Sequence, residues 1–255
     1  MKVRVLGCSG GIGGDRHSTS LLVDDDILID AGSGVTRLSL EAMARISHLF
    51  VTHAHLDHIL ALPTMLDSVG VGRAAPLQIH ALPGVIEILK AHIFNWQIWP
   101  DFARVPTPER PFMVYVPLEI GQPVSLGARE ITAIPASHGR PAVGYRLRGE
   151  RGSLIFSGDT TSHSDLFEIA NATSDLRHFI VEASFDNDHQ DIAAVSDHYC
   201  PATLLPDLAR LKPGVPVWIT HLKPGGESAI MAELADPSLP CGIPRALLPD
   251  QQFDL

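Results

Sequence analysis

Three imidazoles and a carboxylate fall within six consecutive positions of this chain, at His53-Ala54-His55-Leu56-Asp57-His58. They follow an apolar segment, Ile46 to Thr52, that reads as a short strand. In an extended or tightly turning backbone, residues two apart face the same way. His53 and His55 can therefore converge on one metal ion while Asp57 and His58 turn toward a second. The bland alternative needs several histidines solvated or singly hydrogen-bonded in a row at a strand end. A lone histidine favours that alternative, whereas the combination His-x-His-x-Asp-His favours metal.

A two-metal centre needs further ligands, best placed at strand ends where a sheet fixes their positions. Three stretches supply them. His138 follows the strand-like run that ends in Ile134-Pro135-Ala136-Ser137, Asp159 follows Leu154-Ile155-Phe156-Ser157-Gly158, and His221 follows Val217-Trp218-Ile219-Thr220. Taken singly, each has an ordinary explanation: a turn histidine, a helix N-cap, a hydrogen-bonded strand end. Taken together, they place His53, His55 and His138 on one ion and Asp57, His58 and His221 on the other, with Asp159 between. Histidine and carboxylate donors suit Zn2+, and Mn2+ or Fe2+ fit the same set.

The elements that must position these side chains alternate between strand and helix. Lys2 to Leu6 is a strand running into the glycine-rich loop Gly7 to Gly14, whose spacing fits neither a P-loop nor a dinucleotide fingerprint. The loop is expected to be a structural turn bordering the cleft. Ser20 to Val23 and Ile27 to Asp30 form a hairpin around the acidic turn Asp24-Asp25-Asp26. Helices are expected over Thr36 to Ile46, Ile59 to Val69, Pro83 toward His92, Ser164 to Asn171 and Pro201 to Leu211. Strands are expected over Leu77 to Ala81, Ser153 to Ser157, His178 to Glu182 and Val215 to Thr220, with consecutive strands from Met113 to Leu147. This pattern predicts two sheets packed face to face with helices outside, in one domain spanning residues 1–255. From Asp236 onward, four prolines predict an extended, wrapping tail. The aromatic stretch from Phe94 to Phe102 reads either as a packed loop or as a pocket wall for a flat ligand.

Composition removes several functions. Nineteen Lys and Arg against 29 Asp and Glu give a formal charge of -10, which disfavours nucleic acid and anionic membranes as partners. Three cysteines, Cys8, Cys200 and Cys241, have no paired spacing, so neither a disulfide framework nor a cysteine zinc site is indicated. No run is apolar enough for a membrane span, and glycines interrupt any signal-like segment, so a soluble cytoplasmic protein is expected. His17, His48, His80, His92, His163, His178 and His189 lie outside any motif, with His17 and His163 possible neighbours of the cleft.

The ordered series His-x-His-x-Asp-His, His138, Asp159, His221 resembles the metallo-beta-lactamase superfamily of binuclear metallohydrolases. That resemblance implies an α/β fold, a four-layer αββα sandwich, with two divalent cations at one edge of the sheets. Three stretches resemble class II 3',5'-cyclic-nucleotide phosphodiesterases within the ribonuclease Z-related branch: Thr52 to Ile59, Ile93 to Phe102 and Val181-Glu182-Ala183-Ser184-Phe185. Ser196-Asp197-His198 is similar to their Ser-Gly-His, with Asp197 in place of glycine, and Asp186 stands where proline is frequent.

What the resemblance implies is hydrolysis of a cyclic nucleotide to the 5'-nucleotide by hydroxide generated at the metals. Asp57, Glu182 and His198 are the candidate catalytic residues; His198 would protonate the departing alkoxide and Glu182 would orient it. The expected partner is a small phosphodiester, and relatives of this kind often dimerise, which makes a homodimer the expectation. Competing readings are a cyclic ribose-phosphate phosphodiesterase, a ribonuclease Z-like processing enzyme, and a metal-binding regulatory module without turnover. The first often carries an added cysteine-rich zinc site, and the second a long arm between His138 and Asp159; this chain shows neither.

Overall fold

Strands without a polar face need cover on both sides. The early strands of this chain are of that kind in the computed structural model, which describes residues 1–139 and 141–255. β1 (Lys2–Gly7), β2 (Ser20–Val23), β3 (Ile27–Ile29), β4 (His48–Phe50) and β5 (Leu77–Ala81) lie side by side in one sheet. A small hairpin of β6 (Pro106–Thr107) and β7 (Arg110–Pro111) then leads to β8 (Met113–Pro117), which pairs parallel to β5. The second sheet holds β9 (Pro123–Leu126), β10 (Arg129–Pro135), β11 (Val143–Gly149), β12 (Gly152–Phe156), β13 (Leu176–Glu182), β14 (Val217–Thr220) and β15 (Arg245–Ala246). Finally β16 (Gln252–Asp254) returns to pair antiparallel with β1.

Alternation along the strands sorts the core into three layers of contact. Leu21, Ile27, Ile29 and Phe50 of the first sheet meet Tyr145, Leu154, Phe156 and Ile180 of the second. Their neighbours Leu22, Leu28 and Leu49 point the other way, onto α3 (Leu62–Val69) and the other helices on that face. Ile155, Phe179, Val181 and Ile219 likewise face α5 (Ser164–Ala172), α7 (Pro201–Leu208) and α8 (Glu227–Glu233). Helices, sheet, sheet, helices is the expected four-layer αββα order. Each fully buried Leu, Ile or Phe in it contributes about 1.5–3 kcal/mol. No helix among the described residues is long and apolar enough to cross a membrane.

Several boundaries differ from the sequence reading. The helix expected over 36–46 is a 3-10 turn at Ser33–Arg37 followed by α1 (Leu40–Arg45), because the Ser39 side chain accepts from Ala42 N and starts a new helix. The helix expected from Ile59 is two: α2 (Leu56–Ile59), which carries Asp57 and His58, and α3, with Pro63 in its first turn. Pro83 does open α4 (Pro83–Ile88), continued by a wider π turn, and α6 (Gln190–Val195) was not anticipated. The run from Met113 to Leu147 does hold consecutive strands, but they divide between the sheets, β8 in the first and β9 to β11 in the second. The proline-rich tail pairs with both sheets through β15 and β16.

His48 and His80 pair across β4 and β5, with Nδ1 and Nε2 3.0 Å apart, and the His80 ring stacks on Phe50 at 4.3 Å. Burial, then the neighbouring His48, pushes the His80 imidazole down to about 4.

Candidate metal centre

One rim of the sandwich collects the ends of five strands. His53 follows β4, His138 follows β10, Asp159 follows β12, Glu182 ends β13 and His221 follows β14. Gly158, in the left-handed region at φ 62, turns the chain out of β12 and lies against Val143 O and Thr52; no side chain fits there. Carboxyl ends of parallel strands are where α/β sheets place ligand sites.

The seven side chains expected to gather do so. His53, His55, His138 and Asp159 form one donor group, and Asp57, His58, Asp159 and His221 a second, each with ligand atoms within 4.8 Å of one another. Asp159 Oδ2 belongs to both: it lies 3.2 Å from His58 Nε2, 3.3 Å from His221 Nε2 and 3.7 Å from His53 Nε2. Asp57 Oδ2 is 3.1 Å from His221 Nε2, and His138 Nε2 is 3.1 Å from His55 Nδ1.

The outer hydrogen bonds decide which ring nitrogen faces inward. His58 Nδ1 donates to Asp30 Oδ2 at 2.7 Å, His138 Nδ1 to the Asp197 carbonyl at 2.9 Å, and His221 Nδ1 to Ser184 Oγ at 2.8 Å. Thr52 Oγ1 donates to Asp30 Oδ2 at 2.8 Å and so accepts from His53 Nδ1 at 3.0 Å. With Nδ1 committed in all four rings, each neutral ring turns its Nε2 lone pair toward Asp159. At His58 burial is outweighed by the charges of Asp159 and Asp30, which raise this imidazole well above its ordinary value, so a cation there takes the place of the Nε2 proton. Among the described residues His53 Nε2 is buried without any hydrogen-bond partner, and His58 Nε2 has only Asp159 Oδ2, at 3.2 Å. A buried, unpaired acceptor costs about 1–3 kcal/mol, and a cation between the rings removes that cost. The donor set therefore fits a pair of divalent metal ions.

Charge in the centre follows from burial and crowding. Burial, then the charge of His58, holds His53 well below the ordinary imidazole value, in the neutral form a metal requires. Burial would raise Asp159, but His221 and His58 outweigh it and keep the carboxylate ionised. For Asp57, burial is likewise outweighed, here by the hydrogen bond from His221 and the charge of His58. Burial dominates at Asp30 and lifts its carboxyl, with His58 and Thr52 offsetting part of the rise.

Beside the donor groups sits a second pair. His198 Nδ1 donates to Glu182 Oε1 at 2.6 Å, and both residues are buried. Ser184 Oγ donates to Glu182 Oε2 at 2.9 Å, which ties this pair to His221. Burial disfavours charge on His198, but Glu182 prevails and raises the imidazole above its ordinary value. Its ring lies beside the centre, with centroids 4.7 Å from His138 and 5.2 Å from His221. Asp197 takes φ 53, the conformation a glycine adopts freely and one that Asp tolerates, so the loop keeps a glycine-like shape. Asp30 and His221 share that left-handed region at φ 57 and 60, at about 1–2 kcal/mol each.

The glycine-rich loop borders the centre as expected: a Cβ on Gly10 would lie 2.4 Å from His221 O and 2.9 Å from its Nδ1. The aromatic stretch does not wall the site. Phe94 and Phe102 are core residues, and Phe102 O accepts from Phe112 N and Met113 N at the start of β8. Parallel β4 and β5 present the donor groups at their opposite ends. The ends of the stretch are packed, whereas Trp96 and Ile98 between them are exposed, so the packed-loop alternative holds for Phe94 and Phe102. Neither His17 nor His163 joins a donor group among the described residues. Asp30, Thr52 and Ser184 were not singled out from sequence for their roles; the one available signal was a carboxylate, Asp30, closing the wholly apolar strand Ile27–Ile29.

Residues 25–236 match the family described as "Beta-lactamase superfamily domain". That is most of the chain, and the protein belongs to this superfamily. It is a hydrolase of the metallo-beta-lactamase type, with His/Asp clusters suited to metal ions. A Yersinia pestis protein named "Probable 3',5'-cyclic-nucleotide phosphodiesterase" is 27% identical over 281 residues, covering 88% of this chain and 78% of that protein. Ribonuclease Z from Bradyrhizobium sp. (strain ORS 278) is 32% identical over 131 residues, only 49% of this chain and 41% of that protein. The crystal structure of unliganded yeast PDE1 shares the fold with a TM-score of 0.83 at 19% identity, covering 100% of this chain and 99% of that one.

Proposed function

We propose that this protein is a binuclear metal-dependent phosphodiesterase that opens a small cyclic phosphodiester, most specifically a 3',5'-cyclic nucleotide to give the 5'-nucleotide. In this reading His53, His55, His138 and Asp159 hold one cation, and Asp57, His58, His221 and Asp159 the other. When bound, the cations supply Lewis acidity at the phosphoryl oxygens and bring the pKa of a water to about 7. Asp57, part-exposed and held ionised, would be positioned to accept the proton of an attacking water.

The observation that carries the reading is the Glu182–His198 pair, 2.6 Å apart beside the donor groups. Glu182 holds the Nδ1 proton and stabilises the imidazolium, leaving the Nε2 proton for a departing oxygen. An alkoxide is a poor leaving group and gains from that proton, whereas a thiolate, leaving from a thioester, does not need it. The net charge of -10 favours a small substrate over a polyanionic RNA, and the Yersinia pestis relative supports the cyclic class.

The test is metal content, followed by turnover of cyclic AMP, a cyclic ribose phosphate, precursor transfer RNA and bis-nitrophenyl phosphate. About two equivalents of Zn2+, Mn2+ or Fe2+ and preferential opening of cyclic AMP are expected. Preference for either of the next two substrates replaces the cyclic-nucleotide reading, and bound metal with no ester hydrolysed leaves a regulatory metal-binding module.

A further inference from the structure

Two hollows lie in the neighbourhood of the His198 ring, which lines the first of them. One, about 320 Å3, is the mouth of the donor groups, lined by His55, His138, Asp197 and His198. The other, about 360 Å3, is lined by Ser184, Phe185, Ile192, Lys223 and Pro224, and two of these reach His198: Phe185, with ring centroids 5.9 Å apart, and Ser184, with Oγ 3.1 Å from its Nδ1. Neither the metal ligands nor the Glu182–His198 pair accounts for this second hollow.

Its chemistry is specific. Phe185 and a half-exposed Ile192 offer apolar surface, and the volume lies within the range that takes a small ligand. Lys223 brings a cation with no carboxylate partner among the described residues: its Nζ donates to Gly10 O at 2.8 Å and stands 5.9 Å from the Phe185 ring centroid. An ammonium has three protons, so two remain to be given. The other ionisable pair of the lining, Asp186 and His189, is closed on itself at 2.5 Å.

Position supplies the rest, and here the argument rests on the phosphodiesterase reading. If His198 protonates the leaving oxygen, phosphorus lies on its metal side and the oxygen's own substituent lies away from the metals. For a cyclic nucleotide that substituent is the nucleoside. We propose that the Phe185–Lys223 hollow is the subsite for the ring-bearing part of the substrate, with Phe185 packing against a heterocycle and Lys223 donating to an acceptor on it.

The experiment compares kcat/KM of the metal-loaded protein for cyclic AMP and for ribose 3',5'-cyclic phosphate lacking a base, alongside the Kd of 5'-AMP by calorimetry. In Phe185→Ala and Lys223→Met, the preference for the base-bearing substrate should fall at least tenfold, mainly through KM, and 5'-AMP should bind correspondingly more weakly. Ile192→Asp, an exposed position whose substitution spares the fold, should do the same by placing a carboxylate in the hollow. A preference that stays within twofold in all three variants overturns the subsite and leaves the phosphodiesterase reading intact. A wild-type protein that opens neither cyclic substrate overturns both.

Discussion

The Asp30 carboxylate lies 2.7 Å from His58 Nδ1 with both side chains wholly buried, and it also accepts from Thr52 N and Thr52 Oγ1 at 2.8 Å each. Through these contacts one residue orients His58 directly and His53 by way of Thr52. Outer-shell partners of this kind are worth roughly 10–100-fold in metal affinity or activity. Asp30→Asn should therefore weaken metal binding by that factor, read by competition with a chelating dye. An affinity equal to wild type would exclude Asp30 from the centre's support.

His198→Ala should lower kcat on a phosphodiester by about 10^2–10^4 while leaving metal content intact. Glu182→Gln tests positioning separately. The Glu182 carboxylate raises the His198 pKa, so the acid form persists to higher pH and activity falls as pH rises through that value. Removing the negative charge should move this alkaline limb to lower pH. An unmoved limb would mean that another group titrates there.

Gly10 admits no side chain, since its Cβ would press on the backbone and ring of His221. Gly10→Ala should cost about 1–3 kcal/mol by overpacking and displace His221. Urea midpoints and metal stoichiometry read the two effects. Full stability with two bound metals would show that the loop relaxes freely.

One source of acid sensitivity should be His80, which belongs to neither donor group. The unfolded chain protonates this ring near pH 6.5, the folded protein only near 4. Between those values the unfolded state binds more protons, so the contribution is complete above pH 6.5 and lost as pH falls toward 4, up to about 3 kcal/mol. His80→Phe should flatten the fall in urea midpoint across that window. An equally steep fall in the variant would place the titration elsewhere.

The ligands were legible because a strand end fixes geometry over a few residues, and His53 to His58 carries its spacing with it. The donors at His138, Asp159 and His221 each follow an apolar run, a weaker signal that gains force from the first motif. Asp30 and Ser184 reach His58 and His221 from 28 and 37 residues away in sequence, and Thr52, though next to His53, is fixed by Asp30 from 22 away; no local pattern encodes such a partner. Ser39 and Pro63 show the limit for helices, where one cap or one imino acid moved a boundary that periodicity had smoothed over. The aromatic residues at 94–102 were ambiguous because a core ring and a ligand-facing ring look alike until the strand direction is known.

His53, His55, Asp57 and His58 come from the first sheet, whereas His138, Asp159 and His221 come from the second. A cation gripped from both sides acts as a rivet through the sandwich, and its binding energy adds to the cohesion of the two halves. Chelation should consequently lower the melting temperature and expose this rim to proteases, so that the protein's lifetime in a cell tracks the supply of metal.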